Sequence, residues 1–218
     1  FTWDMPDIQS NVDLIYIDQG AEADRWLKPF NDQDQFLTEQ DERGAILYLT
    51  NKSLEDTTLE GYFMYKNDNP VDDATPSNFP AAWSKKAEIY TLGGAIAGEL
   101  QDNWTYRSEL AVQRGDKMDA DLAAFGTRND FVYHFHDENK NRIRFCYEFL
   151  TGDDPDSSDN EQFDPLWGEW PQWSEGYVYT YSRETMIGET TNLHRLGVGH
   201  SIQPTEKLTL DTDYHALW

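Results

Sequence analysis

Hydrophobic and polar residues alternate along much of the chain. The clearest run spans 142–149, where every second residue is apolar: Ile143, Phe145, Tyr147 and Phe149. Similar runs span 104–114 and 208–218, whereas the spacing of three and four residues that marks an amphipathic helix is rare. Because successive side chains of a strand point to opposite faces, this period of two predicts strands with one apolar and one polar face.

Weaker alternating runs extend this pattern along the chain, at 11–18, 44–52, 57–67, 87–100, 119–136, 176–184 and 190–203. Turn-forming residues separate them, as at 101–103 and 137–141. From residue 87 onward, short polar turns alternate with longer acidic loops, which predicts an antiparallel meander of about ten strands. The irregular stretch 152–175 is long enough to indicate a functional or flexible loop.

Composition removes several classes of protein. The 218 residues include 17 Lys and Arg against 41 Asp and Glu, giving a net charge of −24, so neither a nucleic-acid groove nor a polybasic membrane-surface module is expected. Aromatic residues make up 14% of the chain, too many for an unpacked acidic polymer. The single cysteine, Cys146, excludes an intramolecular disulfide. Since the sequence opens at Phe1 without an initiator Met, we expect that processing or truncation set this start.

Alternation alone does not distinguish a membrane barrel from a soluble sandwich, because both have one apolar and one polar face. Three features favour the barrel: charges of both signs on the polar faces, aromatic residues near strand ends, and turns that alternate in length. The alternative is a soluble, calcium-stabilised β-sandwich that binds or cleaves carbohydrate. Its sugar-stacking residues would be Trp167, Trp170 and Trp173.

Four motifs carry a resemblance to a known family. They are the strand Asn103–Asp116, the strand end Tyr147–Asp154, the loop Phe163-Asp164-Pro165-Leu166-Trp167 with Trp170-Pro171-Gln172-Trp173, and the closing pattern that includes Tyr214-His215-Ala216-Leu217-Trp218. Together they resemble the alginate-export-type outer-membrane β-barrels. The resemblance covers 85–218 well and 1–84 loosely.

The resemblance implies an all-β, antiparallel, up-and-down transmembrane β-barrel in the bacterial outer membrane. It implies a non-enzymatic channel that passes small solutes or oligo- or polysaccharide by diffusion and contacts outer-membrane lipid and lipopolysaccharide. No resident cofactor is expected. Residues 1–218 would form a single barrel domain or a fragment of a larger one, with the 152–175 loop outside the membrane at the long-loop end.

The polar faces of the predicted strands supply the pore-lining candidates, which are Arg107, Glu109, Arg142, Arg144, Glu148, Arg195, Asp211 and Asp213. Two interpretations are open: Arg–carboxylate pairs brace the lumen wall, or an arginine ladder forms an anion path. We expect Arg107 and Arg144 to pair across strands with Glu109 or Glu148. The strong acidity favours bracing, since a polyanion would meet uncompensated negative charge.

Two groups of residues are candidate metal ligands. The acidic loop could bind calcium through carboxylate oxygens of Asp153, Asp154, Asp156, Asp159 and Asp164, with Glu161 nearby, although its spacing is not that of an EF-hand. The alternatives are a solvated loop, or divalent ions that bridge the loop to lipopolysaccharide. His134 and His136 lie two residues apart on one strand face, where they could hold a metal or serve as polar lumen or interfacial residues.

Overall fold

A single antiparallel sheet dominates the structure. The computed structural model describes residues 1–20, 40–70, 86–167 and 191–218. Within these ranges ten strands pair in chain order. They are β1 (Thr2–Met5), β2 (Ser10–Gln19), β3 (Gln40–Leu54), β4 (Thr57–Pro70), β5 (Ala87–Glu99), β6 (Trp104–Lys117), β7 (Ala120–His134), β8 (Arg142–Leu150), β9 (Leu193–Thr205) and β10 (Leu208–Leu217).

The predicted all-β, up-and-down architecture is confirmed. Strands β2 to β10 correspond to predicted runs, whereas β1 was not predicted and the run 176–184 lies outside the described residues. The described strands share one sheet, so the two-sheet sandwich is wrong for this part of the chain. No helix among the described residues is both long and apolar enough to cross a membrane.

Connections of different length lie at opposite ends of the sheet. At one end the strands are joined by the long connections 20–39, 71–86 and 151–192, and we call this the long-loop end. The opposite end has short turns, as at 55–56 and 206–207. The tight turn at 118–119 between β6 and β7 is an exception, since it lies at the long-loop end.

The two faces of the sheet differ in polarity in the opposite sense from a water-soluble protein. One face, here called the apolar face, exposes large side chains such as Leu92 at 62% and Phe145 at 44%. The other, the polar face, buries Gln113 and Arg195 completely. Polar residues are normally the exposed ones, so this inversion requires an explanation from the surroundings of each face.

A small hydrophobic cluster lies on the polar face near the long-loop end. Ala87, Ile89, Leu122 and Ala124 form it, and Phe163 and Leu166 pack against it from outside the sheet. Residues 160–167, which we call the inward segment, therefore fold back onto the polar face. The packing of two large side chains over small strand residues removes apolar surface from water and holds the segment there.

The β6–β7 turn allows a direct test of local backbone strain. Met118 and Asp119 both have positive φ, at 54° and 65°, as a two-residue hairpin turn of this type demands. We expect Asp119→Gly to raise the free energy of unfolding by roughly 1 kcal/mol, because glycine adopts this conformation without steric cost. Asp119→Ala is the control and should lower it; urea unfolding that ranks alanine above glycine would contradict the strain argument.

Candidate functional site

The eight predicted pore-lining residues all lie on the polar face. Strand alternation puts Arg107 and Glu109 together on β6, and the register continues the same face to neighbouring strands. Glu148 on β8 is directly opposite Arg195 on β9. The remaining members, in register on the same face, are Arg142, Arg144, Asp211 and Asp213.

One buried ion pair of this face joins β8 to β9. Arg195 Nη2 lies 2.7 Å from Glu148 Oε2, and the Arg195 side chain is fully buried. The same guanidinium donates to the sulfur of Cys146, 3.0 Å away. Breaking a buried pair by removing one partner is strongly destabilising, so this pair stabilises the junction of the two strands.

Arg107 joins strands that are not neighbours. Its Nη2 lies 2.6 Å from Glu60 Oε2 on β4 and 3.3 Å from Glu109 Oε2 on its own strand. The strand between, β5, presents Ala95 opposite Glu60 and Ala97 opposite Arg107, and these small side chains leave room for the guanidinium to cross. Tyr62 donates its hydroxyl to the other oxygen of Glu109 at 2.8 Å.

Arg144 differs from the expectation. Its partner is Asp130 on β7, with 3.7 Å between Nε and Oδ1, and not Glu109 or Glu148. Asp130 also accepts from Arg128 at 2.9 Å. The expected pairing across neighbouring strands is therefore wrong for both arginines. Arg107 contacts Glu109 within its own strand and Glu60 two strands away. Glu148 lies four residues from Arg144 along β8, roughly 13 Å, which is too far for an ion pair.

The outermost candidates are more exposed. Arg142 Nη2 lies 3.8 Å from Asp211 Oδ1, with both side chains more than half exposed, so this pair contributes at most about 1 kcal/mol. Asp213 faces the gap left by Gly199, across which Arg144 lies. The structure thus brings the eight residues onto one face and joins most of them in ion pairs.

The inward segment is attached to this face by polar contacts as well as by the hydrophobic cluster. The backbone N–H of Asp164 donates to Gln113 Oε1 at 2.8 Å, and Gln113 Nε2 donates to the Asp164 carbonyl at 2.7 Å. Lys117 Nζ lies 2.9 Å from Asp164 Oδ2. Trp167 donates its indole N–H to Glu42 Oε2 at 3.0 Å.

Local sequence explains the shape of the segment. Pro165 disfavours helix at the residue before it, and Asp164 Oδ1 accepts the N–H of Leu166 at 2.8 Å, which is the hydrogen bond of an Asx turn. On the sheet, Gly44 makes space for the Trp167 ring, because a Cβ at this position would overlap that ring. The Asx turn at Asp164 and the absence of a side chain at Gly44 therefore both allow the segment to lie against the sheet.

Charge keeps Asp164 ionised. Burial by itself would raise the pKa of Asp164, but the ammonium groups of Lys117 and Lys66 and the N–H of Leu166 outweigh it and lower the pKa below its ordinary value of 3.8. A carboxyl with a lowered pKa stabilises the folded arrangement above its ordinary pKa and loses that effect as the pH falls through the lowered value. Attachment of the segment is thus insensitive to pH near neutrality.

The 152–175 loop leaves the sheet at the long-loop end, as expected. Residues 153–159 are exposed beyond the strand ends, whereas 160–167 turn onto the polar face. That the loop lies outside the membrane stays a prediction. Trp167 contacts Glu42 and lies with its ring centroid 5.6 Å from Lys66 Nζ. Trp170 and Trp173 lie outside the described residues.

The predicted calcium ligands do not converge. Within the described ranges no three His, Cys, Asp or Glu side chains are grouped so as to hold a metal ion. Asp153 and Asp154 accept backbone N–H groups of their own loop, and Asp164 pairs with Lys117 instead. Calcium binding by Asp153, Asp154, Asp156, Asp159 and Asp164 stays a prediction.

The two histidines of the candidate metal pair have separate partners. His134 Nε2 lies 3.1 Å from Thr105 Oγ1, and His136 Nε2 lies 2.8 Å from the Asp102 carbonyl. Their ring centroids are 6.1 Å apart. These contacts fit the interpretation of polar residues near a strand end.

Several residues of the site were not singled out as candidates from the sequence. They are Glu42, Glu60, Lys66, Lys117, Arg128 and Asp130, each of which forms an ion pair on the polar face. Arg128 and Asp130 alternate with Asn129 and Phe131 in a predicted strand, so strict alternation could have identified them. The ion pair of Lys117 with Asp164 depends on the inward segment, which strand periodicity does not describe.

The arrangement defines a class of protein: an antiparallel up-and-down sheet with an exposed apolar face and a polar face of paired charges. Residues 23–218 match the model of the family described as alginate export. The chain therefore belongs to the alginate export family, and its sheet is consistent with part of a β-barrel of that family. A search of curated proteins found no match.

The ion pair between Lys117 and Asp164 can be tested by removing the cation. Lys117→Met leaves the Asp164 carboxylate buried without its closest partner, so we expect the inward segment to detach. A protease that does not cleave at lysine should then cut within 160–167 much faster. The loss corresponds to about 3–5 kcal/mol for a broken buried pair. Lys207→Met, at an exposed turn, is the matched control. Equal protection in both variants would show that the pair does not hold the segment.

Proposed function

We propose that the chain forms a wall of an outer-membrane channel of the export or porin type. The observation that carries this proposal is the inverted polarity of the sheet, with large apolar side chains exposed on one face and ionised groups buried on the other. In a barrel wall the first face contacts lipid and the second faces the lumen. The family is one of transport proteins, and the proposal contains no catalytic step.

The lumen wall is braced by ion pairs in this proposal and does not present an open arginine ladder. Seven cations of the polar face each lie within ion-pair distance of a carboxylate, namely Lys66, Arg107, Lys117, Arg128, Arg142, Arg144 and Arg195. A guanidinium that already holds a carboxylate attracts a passing anion weakly. Arginine content alone is therefore a poor guide to anion selectivity here.

The inward segment would narrow the lumen at the long-loop end. It lies over the polar face of β3 to β7, where Glu42, Gln113 and Lys117 hold it. Small solutes or saccharides would diffuse past it, and outer-membrane lipid and lipopolysaccharide would surround the apolar face. The acidic residues 153–159 would then lie near the mouth and attract cations.

The membrane orientation is tested by a pair of adjacent residues on opposite faces. We expect Phe145→Arg to destabilise the protein folded in lipid vesicles by roughly 2–4 kcal/mol if residue 145 lies near the midplane. Arg144→Ala should cost less, because its pair with Asp130 is long and partly exposed. Equal tolerance at the two positions, measured by urea unfolding in vesicles, would contradict the barrel.

Ion selectivity tests the bracing. In a planar bilayer with asymmetric salt, we expect a reversal potential that indicates a weak preference for cations. Arg107→Ala should strengthen that preference, since it leaves Glu60 and Glu109 uncompensated. Arg43→Ala, whose side chain pairs with Asp18 on the apolar face, is the control and should change little. A clear anion preference that Arg107→Ala abolishes would favour the arginine path instead.

A further inference from the structure

A pocket lies between the inward segment and the polar face. Its volume is about 280 Å³. The strands supply its floor, and residues 163–166 cover it. Among the described residues that line it are Tyr48, Tyr62, Glu109, Arg128, Glu148 and Phe163. Pockets for drug-sized ligands have volumes of roughly 300–1,000 Å³, so this one is suited to a smaller molecule.

The charges around the pocket compensate one another. Glu109 is held by Arg107, Glu148 by Arg195 and Asp164 by Lys117. A carboxylate ligand would therefore find no excess of positive charge, and would lie close to three acidic side chains. A cationic ligand would compete with the existing partners. The charge balance favours an uncharged ligand.

The lining nevertheless offers many hydrogen bonds. The two oxygens of Glu109 accept from Tyr62 and Arg107, which leaves further lone pairs on each oxygen. Glu148 provides acceptors in the same way. A ligand with several hydroxyl groups can donate to these carboxylates, and hydrogen bonds to ionised acceptors are the stronger ones.

The rest of the lining is apolar. Leu150, Phe163, Pro165 and Leu166 contribute carbon surface, and the floor includes Met64 and Ala111. Gly126 allows the Phe163 ring to approach the sheet, because a Cβ there would lie 3.0 Å from the ring. A sugar ring combines hydroxyl groups at its edge with C–H groups on its faces, and so matches a lining of this mixed character.

We propose that this pocket binds a single uncharged sugar ring and discriminates against its uronate counterpart. This proposal adds a binding site to the proposed channel. It rests on the channel function only because the sugar would reach the pocket through the lumen. The size of the pocket selects one ring, its compensated charges select against a carboxylate, and its carboxylate acceptors select hydroxyl groups.

The test uses the full chain folded in detergent and titrations followed by saturation-transfer NMR. The probes are methyl β-glucoside and glucuronate. We expect saturable binding of the glucoside and at least tenfold weaker binding of glucuronate. Equal or tighter binding of glucuronate would overturn the proposal, as would the absence of glucoside binding.

The decisive variant fills the pocket with a larger side chain. Ala111→Leu places three more carbon atoms inside the pocket without touching an ion pair, and should weaken glucoside binding at least tenfold. Ala123→Leu, on the apolar face and outside the pocket, is the matched control and should bind as the unmodified protein does. Unchanged binding in Ala111→Leu would overturn the site, provided that circular dichroism shows a folded sheet in both variants.

The outcomes separate this inference from the channel itself. Glucoside binding in detergent with no conductance in a bilayer would contradict the channel and support the pocket. Conductance of the expected selectivity without glucoside binding would support the channel and contradict the pocket.

Discussion

Ion pairing on the polar face is the interaction on which the rest of the structure depends. An ionised side chain taken out of water is costly unless an opposite charge and further hydrogen bonds accompany it. Arg195 illustrates the solution, since it is fully buried and yet contacts both Glu148 and Cys146. Because the apolar side chains occupy the other face, the charged ones must satisfy one another on this face, and their ion pairs join strands to one another.

The inward segment obeys the same constraint. It places the Asp164 carboxylate beside Lys117 on β6, and its backbone groups meet the side chain of Gln113. The sheet accommodates it with small residues, of which Gly44 under Trp167 is the clearest case. The inward segment is therefore held by electrostatics at its polar groups and by packing at Phe163 and Leu166.

The sequence was sufficient for strands β2 to β10 and for their faces, because alternation is a local property of a strand. It also placed all eight candidate residues on one face. Pairing is not local: Arg107 and Glu60 are 47 residues apart and lie on strands separated by a third. That contact depends on the alanines of β5, and the partner of Arg144 depends on the β7–β8 register, which puts Asp130 opposite Cys146. Neither follows from a period of two.

What such a wall can bind depends on whether its cations can contact a solute, and not only on how many cations it contains. In a polyanion conduit, arginines must exchange contacts between the wall and the solute. Here the wall supplies the acidic partners itself, so an entering carboxylate would have to displace Glu60, Asp130 or Glu148 from a position a few ångströms away. Neutral hydroxyl groups make no such demand, because they can add to a paired carboxylate without separating it from its arginine. A wall of compensated charge therefore favours uncharged, hydrogen-bonding solutes, whatever the number of its arginines.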